Sequence, residues 1–150
     1  MNKIYVIMIV LLALNCKSTD NQDNLKNEDI VLISKGNLHG SGSEGIEKQS
    51  RIIETESEWN DLVSKMNSVN KVSNSFSETD INFSIHSVIT VFDEVKSTGG
   101  HSLELDIQNT SDKIIIEVIR KAPEGMATAV ITQPYYLAKI PKINKTIEFK

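Results

Sequence analysis

Few residues in this chain have the type and spacing that chemistry needs. Three histidines, His39, His86 and His101, are available as bases, and a single cysteine, Cys16, is available for acylation or ligation. No histidine has a partner at H-x-x-x-H or similar spacing. One cysteine excludes both an internal disulfide framework and a multi-cysteine zinc or iron–sulfur site. The serines lie in polar links, without the G-x-S-x-G elbow that presents a hydrolase nucleophile. Asp93-Glu94, at the end of an expected strand, reads as a solvated pair, and His39 and His101 read as exposed loop residues. Gly40-Ser41-Gly42-Ser43-Glu44-Gly45 has the letters of a G-x-G-x-x-G phosphate loop. That mechanism needs a helix opening at the third glycine, so that its free N–H groups meet the phosphate. Here Ile46 to Glu54 read as strand, so only the letters match. No residue set points to catalysis, a metal or a cofactor, and the chain is expected not to be an enzyme.

Two segments remain. Lys96-Ser97-Thr98-Gly99-Gly100-His101-Ser102 joins two expected strands, and its adjacent glycines allow positive φ and close backbone approach. It is either a plain hairpin turn or a loop shaped for contact. The second segment is the N-terminus. Lys3 precedes an unbroken apolar run from Ile4 to Leu14, about 16 Å long as a helix at ~1.5 Å per residue. A bilayer needs ~20 residues, so the run suits the apolar core of a signal peptide rather than a membrane span. It ends in Leu12-Ala13-Leu14-Asn15-Cys16, which resembles the lipobox of bacterial lipoproteins. That resemblance implies removal of residues 1–15 and acylation of Cys16. Two or more acyl chains, at about 0.8 kcal/mol per buried CH₂, anchor a protein stably where one does not. Residues 16–29, polar and nearly free of apolar side chains, read as a lipidated flexible tether. Lys17, rather than Asp, follows the cysteine, as in lipoproteins sent on to the outer membrane. The expected location is the cell envelope, lipid-anchored, facing either periplasm or exterior.

The elements that must position these residues lie in 30–150, one domain by length. A net charge of −4 and a pI near 5.4 argue against a nucleic-acid partner. Hydrophobic content of 39% with 24% charged residues is that of a globular domain. Ile30–Ile33 read as a first strand and Arg51–Glu54 as a second, with four of the seven glycines crowded between them as turns or a mobile loop. Trp59, Leu62, Val63, Met66 and Val69 form a one-faced helical stripe, capped by Thr55 with Glu58 or by Ser57 with Asn60. Strands follow at 85–92 and 103–107, the latter alternating apolar and polar residues. Another is expected at 114–119, buried on both faces except at Glu117, with more at 128–132, 135–140 and 143–149. The expected fold is mainly β (α+β): an antiparallel β-sandwich or barrel-like domain of about seven strands with one amphipathic helix.

Taken in order, Asp80-Ile81-Asn82-Phe83, Val88 to Phe92, Ser97 to Ser102 and Thr132-Gln133-Pro134-Tyr135 resemble the C-terminal domain of the PrcB family. There, an acidic-Phe step precedes a hydrophobic strand, a T-G-G loop follows, and a Pro-Tyr strand comes near the end. Trp59, Leu62 and the segment Ser41–Ile46 fit longer members, so the resemblance covers roughly 38–149. Asn82, Ser97 and His101 depart from the pattern. The resemblance implies a non-enzymatic accessory or binding subunit, with a secreted subtilisin-like serine protease or its complex as the expected partner. The contact surface it suggests is Thr98, Gly99, Gly100 and His101 with Tyr135 and Tyr136, although burial in the core is the plainer reading of the two tyrosines. The T-G-G loop is also similar to that of chagasin-type cysteine-protease inhibitors, which leaves inhibition as one alternative. A structural or ligand-binding lipoprotein without a protease is the other.

Overall fold

The computed structural model describes residues 24–150; the signal-peptide and Cys16 acylation expectations lie outside them. The chain forms β1 (Val31–Leu38), β2 (Gln49–Ile53), helix α1 (Glu56–Met66), β3 (His86–Phe92), β4 (Ser102–Asn109), β5 (Lys113–Lys121), β6 (Gln133–Pro141) and β7 (Thr146–Phe149). One sheet has the order β1-β6-β3-β2 and is antiparallel throughout. The other has the order β4-β5-β7, antiparallel between β4 and β5 and parallel between β5 and β7. The two sheets pack face to face as a sandwich, and α1 covers the far face of the four-stranded sheet.

This three-layer order explains the sequence of the middle sheet. On β3, Val88 and Phe92 join a core with Trp59, Leu62 and Met66 of the helix. Ile89 and Val91 point the other way, against Leu103, Ile114, Ile116 and Val118 of the second sheet. A strand covered on both faces needs apolar side chains at nearly every position, and every residue from Ser87 to Phe92 is buried. On β4 the alternation holds, with Leu103, Leu105 and Ile107 turned inward. β5 differs from expectation. Its sheet is covered on one face only, so Ile115 is half-buried and Ile119 is exposed, while Ile114, Ile116 and Val118 fill the core.

The helix starts where Thr55 permits: its hydroxyl oxygen accepts the Glu58 N–H at 3.3 Å and its hydroxyl donates to Glu58 Oε2 at 2.8 Å. It ends at Met66, so Val69 falls beyond it and is exposed. Trp59 is buried, and its indole N–H donates to the Thr79 carbonyl at 2.9 Å, which ties the polar link after the helix to the core. No helix among the described residues is long and apolar enough to cross a membrane.

Several boundaries shift. β1 runs on to Leu38, so Gly36 lies within the strand and not in the turns after it. The segment 128–132 is not a strand; only Thr132 makes a bridge, to Lys96. Packing also begins before Ile30. Leu25, assigned to the tether by its polar neighbours, is 2% exposed and belongs to the core between the sheets. Its N–H donates to Asn109 Oδ1 at 2.8 Å and its carbonyl accepts from Asn109 Nδ2 at 2.6 Å. One apolar side chain and a two-way amide clamp outweigh the polar composition around them.

Candidate binding surface at the loop end

β3 and β6 continue past their ladder as an irregular ribbon. The Asp93 N–H donates to the Pro134 carbonyl, Lys96 and Thr132 exchange both backbone bonds at 2.7 and 3.0 Å, and the Gly99 N–H donates to the Thr128 carbonyl at 3.0 Å. The Thr132 hydroxyl adds a bond to the Thr98 carbonyl at 3.0 Å. The expected loop is therefore the tip of this ribbon, laid on the neighbouring segment 123–130.

Both glycines are required there. Gly99 is buried, and a Cβ on it would sit 2.5 Å from Thr128 Oγ1 and 3.0 Å from Val130 Cγ1. Gly100 has φ +82°, and a Cβ there would lie 2.7 Å from Pro123 Cβ. Thr98 Oγ1 lies 3.0 Å from His101 Nε2, and Asn37 Nδ2 donates to the His101 carbonyl at 3.1 Å. His101 is thus half-buried and held, not an open loop histidine, whereas His39 is exposed. The Thr98–His101 contact closes the turn, and Asp and Glu are absent from the partners described for that ring. Among the described residues, no three His, Cys, Asp or Glu side chains assemble as a metal site. The Gly40–Gly45 segment is a series of turns leading into β2, with no helix at Gly45.

Around the tip, Val95, Met126, Val130 and Ile131 are exposed apolar side chains. Val95 and Ile131 each adjoin the Lys96–Thr132 bridge. Tyr135 does not share this surface. It is 4% exposed, stacks on Phe92 with ring centroids 6.2 Å apart, and exchanges a 2.9 Å hydrogen bond between its hydroxyl and Ser34 Oγ. Tyr136, next along β6, points to the opposite face, against the core between the sheets. Burial, with the nearby Glu104 charge, raises its phenol pKa.

Beneath the ribbon lies a group that sequence reasoning misassigned. Asp93 is buried, not solvated: its side chain is 3% exposed, with Lys96 Nζ at 3.2 Å, Arg120 Nε at 3.3 Å and Lys48 Nζ at 3.5 Å. Burial alone would push this carboxyl up. The Glu94 backbone N–H, the Lys96 ammonium and the Lys48 charge outweigh it and hold the pKa below its ordinary value. Lys96 also pairs with the exposed Glu94 at 2.7 Å. Gln133, buried beside it, donates through Nε2 to the Ile46 carbonyl at 2.7 Å and the Asp93 carbonyl at 3.0 Å. Asp93 thereby joins the end of β3, the approach to β2, the loop and β5 of the opposite sheet. The one legible sign of this was a lysine three residues after an acid at a strand end. Lys48 and Arg120 are distant in sequence and gave none.

Comparison with known families places this arrangement. A family model described as PrcB C-terminal matches residues 87–141. This segment is similar to the PrcB C-terminal family. The match runs from the second residue of β3 to the last of β6, so it contains the ribbon, the Thr98–His101 tip, Asp93 and Arg120. It is narrower than the span of 38–149 that the motifs suggested: β1, β2, α1 and β7 complete the sandwich from outside it. No curated protein and no solved structure matches the chain.

Proposed function

We propose that this PrcB-like protein is a cell-envelope lipoprotein, anchored through acylated Cys16, that serves as a non-enzymatic accessory subunit of a secreted protease complex. Its contact surface is the ribbon tip Thr98–His101 with the apolar side chains of Val95, Met126, Val130 and Ile131 around it. The observation that carries this reading is the coincidence of the family match with a fixed, exposed, partly apolar loop end. Fixing a loop before binding removes part of the ordering cost from association, and exposed apolar side chains supply burial when a partner covers them. Tyr135, buried against Ser34 and Phe92, is left out of the contact.

The test is a crosslinked pull-down of the full-length protein from membranes, read by mass spectrometry. The comparison is a Val95→Ser, Met126→Ser, Ile131→Ser variant, which changes exposed side chains and leaves both glycines intact. A protease enriched with the native chain and reduced at least tenfold with the variant supports the reading. Recovery of no protease by either refutes it. Metabolic labelling with an alkyne fatty acid, retained by the native chain and lost in Cys16→Ala, tests the anchor separately.

A further inference from the structure

Outside the family-matched segment, α1, the edge of the four-stranded sheet and the glycine-rich turn enclose a groove of about 280 Å³. β2 is the last strand of its sheet and pairs with β3 alone, so its other edge has no strand partner among the described residues. Gly45 and Ile46 line it from the glycine-rich turn, Gln49 and Arg51 from β2, and Asp61, Leu62 and Lys65 from the helix. The apolar wall is Ile46 and Leu62. The charged groups are unequally engaged. Arg51 meets Glu58 at 3.6 Å through one terminal nitrogen, while its Nε is enclosed without an acceptor among the described residues. Lys65 is exposed and has no ion-pair partner among them.

We infer that this groove takes the C-terminal end of an extended peptide: its backbone adds to the open edge of β2, its last side chain rests on Ile46 and Leu62, and its carboxylate lies between Lys65 and Arg51. Each part follows from general chemistry. A free strand edge presents N–H and C=O groups that an added strand can satisfy, and side-chain pockets beside that edge give such docking its selectivity. Glu58 and Asp61 match Arg51 and Lys65 in number, so what favours an anion is the Lys65 ammonium without an ion-pair partner and the Arg51 Nε without an acceptor among the described residues, and a planar guanidinium suits a carboxylate. Asp61 limits the charge the groove accepts, so a monovalent carboxylate fits better than a phosphate. The volume lies at the low end for small-molecule sites, enough for a terminal residue or two. The proposal uses no residue of the ribbon tip and stands or falls independently of the protease reading.

The experiment presents the full chain, held in neutral detergent, with a pooled library of random hexapeptides having free C-termini and with the same library amidated. Retained peptides are counted by mass spectrometry. Free acids with apolar last residues should be retained about tenfold over their amides. Lys65→Gln, at an exposed position that leaves the fold intact, should reduce that preference below threefold. The best-retained acid should also slow hydrogen exchange at the β2 amides. Equal retention of acids and amides overturns the proposal, as does a preference unchanged in both Lys65→Gln and Arg51→Gln, or unaltered β2 exchange in the bound state.

Discussion

Replacing Asp93 with Asn removes one negative charge, at almost constant shape, from the point where both sheets and the loop meet. Three cations lie 3.2 to 3.5 Å from the native carboxylate. At an effective dielectric constant near 20, each such pair is worth roughly 5 kcal/mol before desolvation. Two reductions apply. The Arg120 and Lys48 side chains are 40% and 49% exposed, so water screens them and rehydrates them in the variant. Lys96 retains Glu94 as a partner at 2.7 Å. What remains is a buried polar group facing cations with no charge to offer, at the low end of the cost of breaking a buried pair, about 3 kcal/mol. For a domain of this size that is a fall of roughly 10 °C in melting temperature. The pH dependence is the sharper test. The folded-state pKa of Asp93 is depressed, so its contribution is present above its unfolded value, near 3.8, and is lost as pH falls through the folded value. Urea denaturation of native and Asp93→Asn chains at pH 7 and in steps down to pH 2.5 should show a gap of about 3 kcal/mol at pH 7 that narrows as pH falls below the unfolded value. A gap below 0.5 kcal/mol at pH 7, or one that persists undiminished at pH 2.5, refutes the account of Asp93 as an ionised hub.

The tip can be tested by a contact swap. Gly99→Ala should cost about 1–3 kcal/mol through its clash with Thr128, and adding Thr128→Ala should recover about half of it in thermal melts. Independent, additive effects of the two changes would remove the reason given for Gly99. Tyr135→Phe should cost about 1 kcal/mol by orphaning Ser34, and Ser34→Ala should then add almost nothing, a non-additivity measurable by a double-mutant cycle in urea. Leu25→Ala should lower stability by about 2–3 kcal/mol, which a tether residue would not do; an unchanged urea midpoint would return Leu25 to the tether.

What was legible in the sequence follows from how local each signal is. The helix was readable because Trp59, Leu62 and Met66 recur at helical spacing and Thr55 caps the run, all within a dozen residues. β4 was readable because one face is wet and its alternation is plain. β5 was over-read: a run of isoleucines looks two-face buried, yet the sheet has one covered face and Ile119 meets water. About seven strands in a sandwich or barrel were expected and seven in a sandwich are present, although 128–132 is not among them; the order β1-β6-β3-β2 was not predictable, because ladders join residues a hundred positions apart, as Gly36 with Tyr135. The Thr98-Gly99-Gly100 loop was found from turn chemistry. What it rests on was not: Thr128 lies in a segment expected as strand that has no regular structure, and Pro123, expected as a chain break, carries no local sign of its contact with Gly100. Asp93 was misread for the same reason: two of its three partners arrive from distant segments, and a charged residue at a strand end looks solvated until the fold closes over it.

A ribbon tip linked only to its own two strands would sway with them, because few bonds cross from it to the rest of the molecule. Here the tip is tied sideways to β1 by Asn37 and down to the segment 123–130 by Gly99. The base of the ribbon is tied across the sandwich by Asp93 to Arg120. Gln133 joins that base to the approach to β2 through two carbonyls at once. The ties involve both sheets, so loosening Asp93 should reach the tip without any change at the tip itself. A surface that keeps its shape before a partner arrives loses less entropy on docking than a free loop does. If the ribbon tip is the contact surface proposed above, the Asp93 cluster sets how firmly it is held, and Asp93→Asn should weaken partner recovery in the pull-down at temperatures well below its own melting point.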